Sequence, residues 1–330
     1  MPATITAIAH YAPPEVIPNS FFEEYLDTSN EWITSRTGIE ERHFLGEGGI
    51  SKMILPAAKQ CLEQREISPE EIDLVIVCTV TPDHMFPSTA SIVAHELGAK
   101  KAWGFDMEAA CSGFLFGLAN AKAMVESGVA KKVLLCGADK MTSIVDMNDR
   151  SHAILFGDAA GVCIVEESND PDMGILDMIL YMDGAGKSSL HMKSGGSVSP
   201  PSHETVDRKE HYVYQDGQQV FKAAVTGMAD VSLEIIEKNN LKPEDVAWLV
   251  PHQANMRIIS ATANRMGIER DQVMINIQKY GNTTAATIPM AISEWYQAGK
   301  VKQGDNLVLS SFGAGYAWGA ILLKWNMNQK

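Results

Sequence analysis

The sequence predicts an α/β fold of helix-covered sheets built from two similar halves. Three observations carry this. Short Val- and Ile-rich runs alternate with longer helical stretches, a set of landmarks returns later in the chain, and the composition is that of a large globular core. Strands are expected over residues 73–80, 132–137, 161–166, 246–250, 306–311 and 319–325, all of them short and apolar in the manner of buried strands. Helices are expected over 51–65, 88–97, 112–127, 220–239, 255–266 and 285–298.

The internal repeat says more than any single element. SPEEIDLVIVCTV, with Pro69, and KPEDVAWLVPHQ, with Pro243, both read as a Pro-acid-acid helix start leading into a strand, 174 residues apart. AMVESGVAKKVLLCGAD also matches SEWYQAGKVKQGDNLVLSSFGAG, pairing Gly128 with Gly299, 171 apart. Each half ends in a Gly-rich turn entering a last strand, FGDAAGVCIVE (156–166) and FGAGYAWGAILLKW (312–325). The halves are therefore placed at 1–173 and 174–330. Residues 183–203, rich in Gly, Ser and Pro, are expected to be an exposed loop.

Composition narrows the function classes. With 330 residues, 45% of them hydrophobic, the chain is neither disordered nor fibrous. Lys+Arg number 27 against 41 Asp+Glu, a formal net charge of −14, which disfavours nucleic acid and anionic membranes as partners. An acidic partner would need a local basic patch. Five cysteines without a CxxC pair argue against a disulfide framework or a zinc site, so no metal is expected. The N-terminal segment lacks the basic and apolar regions of a secretory signal, and nowhere do 18 apolar residues run together. A soluble, cytoplasmic protein is expected. GAGKS at 184–188 is no P-loop, because Tyr181 stands where the first glycine belongs. The glycines at 313, 315 and 319 precede a strand instead of opening a helix, so they are no dinucleotide fingerprint.

Cys111 is the one cysteine outside a plain apolar pattern. It starts an amphipathic helix among Ala109, Ala110, Ser112 and Gly113, where a helix N-terminus is expected to lower a thiol pKa and small neighbours admit a substrate. His252 ends the strand of the second half that pairs with 75–80 of the first, and Asn282 lies in a tight turn opening a helix. Asn282 is 171 residues after Cys111, which places it on the repeat position of the nucleophile. Strand carboxyl ends gather catalytic groups in α/β sheets, so Cys, His and Asn can meet there. The Gly-rich turn 312–315 offers backbone N–H groups for an oxyanion.

These residues resemble β-ketoacyl-acyl-carrier-protein synthase III, the initiating condensing enzymes of the thiolase-like superfamily. The resemblance spans essentially the whole chain: NEWITSRTGIEER (30–42), AACSG (109–113), DRSHAILFGDAAG (149–161), DGQQVFKAAV (216–225), PHQANMRI (251–258), GNTTAATIP (281–289) and SFGAGYAWG (311–319). It implies a thiolase-like α/β/α/β/α stack, a homodimer, and Cys111, His252 and Asn282 as the catalytic set, with the backbone N–H groups of Cys111 and Ala314 as oxyanion donors. It also implies that Trp32 and Arg150 hold the CoA adenine with Thr28 and Arg36 nearby, that Asn255 lies by the pantetheine arm, and that Phe86 and Phe312 line an acyl pocket. Lys222, Arg257 and Arg265 are the basic candidates for docking the carrier protein; Arg257 and Arg265 are eight positions apart, about 80° around a helix.

The implied reaction has two stages. Cys111 takes an acyl group from a short acyl-CoA, and malonyl-acyl carrier protein then loses CO2 to an enolate that attacks the acyl-Cys. No cofactor is expected, acyl-CoA being a substrate. Three rivals differ in testable ways: a secondary-metabolism condensing enzyme with another acyl donor or acceptor, a non-catalytic partner subunit, which the intact Cys111, His252 and Asn282 oppose, and a thioesterase needing no malonyl substrate.

Overall fold

Every side chain of the strand Leu74–Cys78 is buried, with Leu74, Ile76 and Cys78 packed to one side and Val75 and Val77 to the other. A strand apolar on both faces belongs in the middle of a layered stack. The structure, a computed structural model, describes residues 1–328.

Two sheets lie in that stack. The first runs in the order Ala3–Tyr11, Ala159–Glu167, Lys132–Asp139, Leu74–Cys78, Trp103–Met107, its last three strands parallel. The second runs Gly174–Met182, Ala317–Lys324, Asn306–Gly313, Trp248–Pro251, with the last pair parallel. Taken from these ends the two orders correspond strand for strand. Where Val75 pairs with Gly104 in the first sheet, Leu249 makes only an isolated bridge to Val273, the remnant of a fifth strand.

The helices Gly113–Glu126 and Thr287–Gln297 form the central layer. Phe114, Leu115 and Leu118 of one, and Ile288, Ala291 and Ile292 of the other, share a core with inward residues of both sheets. Ser51–Arg65 and Thr89–Leu97 cover the outer face of the first sheet. Gly217–Lys238 and Met256–Met266 cover that of the second. The five layers match the expected α/β/α/β/α stack.

All six expected strands and all six expected helices are present, with ends shifted by a few residues. Ala3–Tyr11, Trp103–Met107 and Gly174–Met182 are strands that were not among those expected. The two Pro-acid-acid starts are single 3-10 turns, Pro69–Glu71 and Pro243–Asp245. The segment 183–203 is more ordered than a loop: Gly184–Ser188 is a 3-10 turn capped by Asp183, and Leu190–Met192 pairs with Val213–Gln215.

Candidate active site

Cys111 sits in a 3-10 turn, Ala110–Ser112, between the strand Trp103–Met107 and the helix Gly113–Glu126. Ala110 has a φ of 46°, a conformation costly for a residue with a Cβ and typical of a strained elbow that presents a side chain. Ser311 Oγ donates to the Cys111 carbonyl at 2.9 Å, and Ser112 Oγ donates to the Ala317 carbonyl at 2.8 Å. These bonds tie the elbow to the two central strands of the second sheet, Asn306–Gly313 and Ala317–Lys324. Only glycine fits at 313, because a Cβ there would lie 2.8 Å from the Cys111 nitrogen. Ala314, the next residue, is not among the residues of positive φ, so its Cβ adds no backbone strain.

The second half places a matching elbow against the first. Thr284–Ala286 is a 3-10 turn entering the helix Thr287–Gln297, and Thr284 has a φ of 51°. Thr284 therefore corresponds to Ala110 and Ala285 to Cys111, an offset of 174, which corrects the expectation that Asn282 occupies the repeat position of the nucleophile. The physical reason is helix length. Gly113–Glu126 has 14 residues and Thr287–Gln297 has 11, so landmarks beyond their ends, such as Gly128 and Gly299, are offset by three fewer.

His252 directly follows the strand Trp248–Pro251 and is fully buried; its N–H donates to the Ser310 carbonyl at 2.8 Å, and its Nδ1 lies 2.8 Å from Thr287 Oγ1. Asn282 is held by its backbone to Leu155 and Gly157, and its Oδ1 accepts from the Thr284 N–H at 2.9 Å. Gly281 before it adopts a φ of 63°, and a Cβ there would come 2.8 Å from the Leu155 carbonyl oxygen. The amide orientation leaves Nδ2 as the donor of Asn282 that can face a ligand.

Cys111, His252, Asn282 and Ala314 line one cavity of about 630 Å³, together with Phe312 and Asn255. Burial, and after it the Asp139 carboxylate, push the Cys111 thiol up to about 12. The helix start was expected to lower it; desolvation and a like-signed neighbour act in the opposite direction. Burial lowers His252 to about 3, so its imidazole is neutral. Asp139, fully buried, is itself raised by desolvation against hydrogen bonds from Thr284, Val80, Thr79 and Thr81.

The remaining expected residues divide. Arg36 and Arg150 both stack on the Trp32 ring, 4.5 and 4.8 Å from its centre, and Thr28 Oγ1 is a buried hydroxyl oxygen without a partner among the described residues. This group adjoins the cavity: Asn255 donates to the Arg36 carbonyl at 3.1 Å, and Ser151, next to Arg150, lines the cavity. Asn255 also caps the helix Met256–Met266. Arg257 lines the cavity over the Phe221 ring, while Lys222 is exposed on the neighbouring helix. Arg265 faces Asp230 at 3.4 Å, both side chains being more than half exposed. Phe86 is 87% exposed and is not among the residues that line the cavity within its own chain. Asp139, Thr284 and Thr287 were not singled out from sequence. The signal for Thr284 is the 174 offset that puts it on Ala110.

Residues 105–184 match the family model described as 3-oxoacyl-[acyl-carrier-protein (ACP)] synthase III, and residues 236–325 match that of its C-terminal part. The β-ketoacyl-[acyl-carrier-protein] synthase III of Chlorobium chlorochromatii is 56% identical, over 98% of this chain and 100% of that protein. The protein of the same name from Chlorobaculum tepidum is 54% identical over the same shares. The crystal structure of the Aquifex aeolicus 3-oxoacyl-[acyl-carrier-protein] synthase III superposes with a TM-score of 0.91 at 43% identity, covering 98% of this chain and 100% of that one.

Proposed function

The chain belongs to the 3-oxoacyl-[acyl-carrier-protein] synthase III family, and from that premise we propose how its residues divide the chemistry. It is an acyltransferase that initiates fatty acid synthesis by condensing an acyl-CoA primer with malonyl-acyl carrier protein, giving 3-oxoacyl-acyl carrier protein, CoA and CO2. Relatives named for this reaction at more than half identity over the full chain favour it over the secondary-metabolism reading.

The convergence of Cys111, His252 and Asn282 on one cavity carries the assignment of roles. Cys111 Sγ attacks the primer thioester, its proton passing through neutral His252 to the departing CoA sulfur. The N–H groups of Cys111 and Ala314 hold the tetrahedral oxyanion. In the second stage the malonyl C–C bond to the carboxylate breaks, CO2 leaves, and the enolate attacks the acyl carbon. Asn282 and His252 donate to the thioester oxygen on which the enolate charge develops. Cys111 leaves as a thiol, so this stage takes up one proton from solution. No metal or redox group enters these steps, and we infer a reaction without a cofactor.

Trp32, Arg36, Arg150 and Thr28 are the proposed nucleotide end of the CoA site, with Asn255 beside the pantetheine arm and Phe312 against the acyl chain. Adenine stacking requires Arg150 to move off the indole, releasing its present bond to the Asp27 carbonyl. Lys222 and Arg257 are the proposed carrier-protein contacts, since neither forms an ion pair among the described residues. A homodimer is proposed on two supports: Trp103–Met107 is an edge strand whose Trp103 is exposed, and Met85 and Phe86 are 81% and 87% exposed. Five free cysteines fit a reducing compartment, and we place the reaction in the cytoplasm; among the described residues no helix is long and apolar enough to cross a membrane. Incubation with an acyl-CoA followed by intact-mass measurement tests the core of this reading. One acyl group on Cys111, discharged by malonyl-acyl carrier protein, is expected; discharge by water alone contradicts it.

A further inference from the structure

Three hydrogen bonds meet at Thr284, an elbow residue that also lines the cavity. Thr284 Oγ1 donates to the buried carboxylate of Asp139, in a short contact. The Thr284 N–H donates to Asn282 Oδ1 at 2.9 Å, and the Thr284 carbonyl accepts from Thr287 Oγ1 at 2.9 Å. Thr287 Oγ1 in turn contacts His252 Nδ1 at 2.8 Å. The anchor is rigid. Asp139 also accepts from Thr79 Oγ1, the Val80 N–H and Thr81 Oγ1, at 2.8–3.0 Å, so one carboxylate joins strand ends of the first half to the strained elbow of the second.

The donor count along this chain fixes a tautomer. A threonine hydroxyl has one proton, and at Thr287 that proton is committed to the Thr284 carbonyl. The bond to His252 is then satisfied only if Nδ1 carries the hydrogen and Thr287 Oγ1 accepts it. A neutral imidazole protonated at Nδ1 presents a lone pair at Nε2. The same residue, by holding Asn282 Oδ1, turns the amide so that Nδ2 is the group left to face the ligand.

We propose that Thr284 is a positioning residue for both catalytic side chains of the second half, setting the Asn282 amide orientation and holding His252 as the Nδ1–H tautomer. The inference rests on the roles proposed above for His252 and Asn282. It orders their work. Nε2 is the base that accepts the Cys111 proton in the first stage and hands it to CoA. In the second stage the negative charge developing on the enolate beside Nε2 offsets the burial that keeps the resting imidazole neutral, so Nε2 takes up the one proton that the balance requires, donates it to the enolate oxygen as a hydrogen bond, and delivers it to the departing Cys111 sulfur. Asn282 needs no such uptake and donates throughout.

The test begins with the imidazole ¹⁵N spectrum of the full-length, histidine-labelled wild-type protein at neutral pH, with the His252 signal identified by its loss in His252→Ala. A protonated Nδ1 and an unprotonated Nε2 are expected; a proton on Nε2 overturns the inference. Thr284→Val then keeps the β-branched shape at positive φ and removes only the hydroxyl. Malonyl-acyl carrier protein decarboxylation should fall by about 10²-fold, one misplaced oxyanion donor, while Thr284→Ser restores it to within about threefold of wild type. Decarboxylation by a folded Thr284→Val at the wild-type rate overturns the inference. Should that variant not fold, Thr287→Val decides: the Nδ1–H preference of His252 is expected to be lost, and its persistence is contradictory. A wild-type protein that fails to condense refutes the functional reading instead, and the spectrum is indifferent to that outcome.

Discussion

Replacing Asn282 by Asp separates the two half-reactions. The Asn282 side chain accepts the Thr284 N–H through Oδ1 and presents Nδ2 as its donor. Asp keeps the acceptor, so the elbow stays bonded, but an oxygen replaces the N–H at the cavity. One lost oxyanion donor corresponds to about 2.7–4 kcal/mol, a loss of about 10²–10³ in rate. Enolate formation should fall by that amount, and more where the new carboxylate repels the malonyl group. Acylation of Cys111 uses the Cys111 and Ala314 N–H groups and should fall by much less than decarboxylation does. Asn282→Ala adds a second effect, because the buried Thr284 N–H loses its partner at a cost of about 1–3 kcal/mol of stability. Release of labelled CO2 from malonyl-acyl carrier protein and intact-mass detection of acyl-Cys111 report the two stages separately. Equal losses in both, or a decarboxylation rate near wild type in Asn282→Asp, would refute the reasoning.

Other outcomes follow from the same geometry. Cys111→Ala should abolish acyl-enzyme formation, whereas Cys61→Ala and Cys163→Ala, both fully buried, should change only the melting temperature; mass spectrometry locates the acyl group. His252 should give the fold an acid-sensitive term. The unfolded imidazole protonates below 6.5, and the buried one resists down to about 3, so this stability is complete above 6.5 and is lost as pH falls, by about 2 kcal/mol at pH 5. Denaturant titrations from pH 7.5 to 5 should show a shallower decline in His252→Gln than in wild type; parallel declines would contradict it. Arg257→Glu should weaken use of malonyl-acyl carrier protein while sparing acylation by acyl-CoA, and added salt should slow the carrier step more, since screening acts on exposed charges. A salt series on both half-reactions checks this, and equal losses would place the docking surface elsewhere.

Much of the fold was legible because buried strands and helix starts are local signals. Leu74–Cys78 and Asn306–Gly313 are apolar enough to be read alone. Ala3–Tyr11 and Gly174–Met182 escaped because Thr, His, Asp and Met dilute their apolar runs, although these strands occupy corresponding sheet positions in the two halves. Cys111, His252 and Asn282 could be picked out as chemistry-bearing residues at strand ends and turns. Thr284, Thr287 and Asp139 could not, since a threonine in a turn and an aspartate ending a strand look ordinary until the other half of the chain is packed against them. The repeat held the missing clue. Measured at the helix starts, its offset puts Thr284 on Ala110, and the left-handed backbone of these two residues marks the two elbows.

The central claim is that one cavity joins an acyl group on Cys111 to a carbon released by decarboxylation. Incubating the purified protein with malonyl-acyl carrier protein and a panel of acyl-CoA primers, then weighing the carrier-bound product, tests it most directly. The account predicts a 3-oxoacyl-acyl carrier protein two carbons longer than the primer, formed only when both substrates are present and absent with Cys111→Ala. Release of the free acid from acyl-CoA, unaffected by malonyl-acyl carrier protein and without a carrier-bound product, would contradict it.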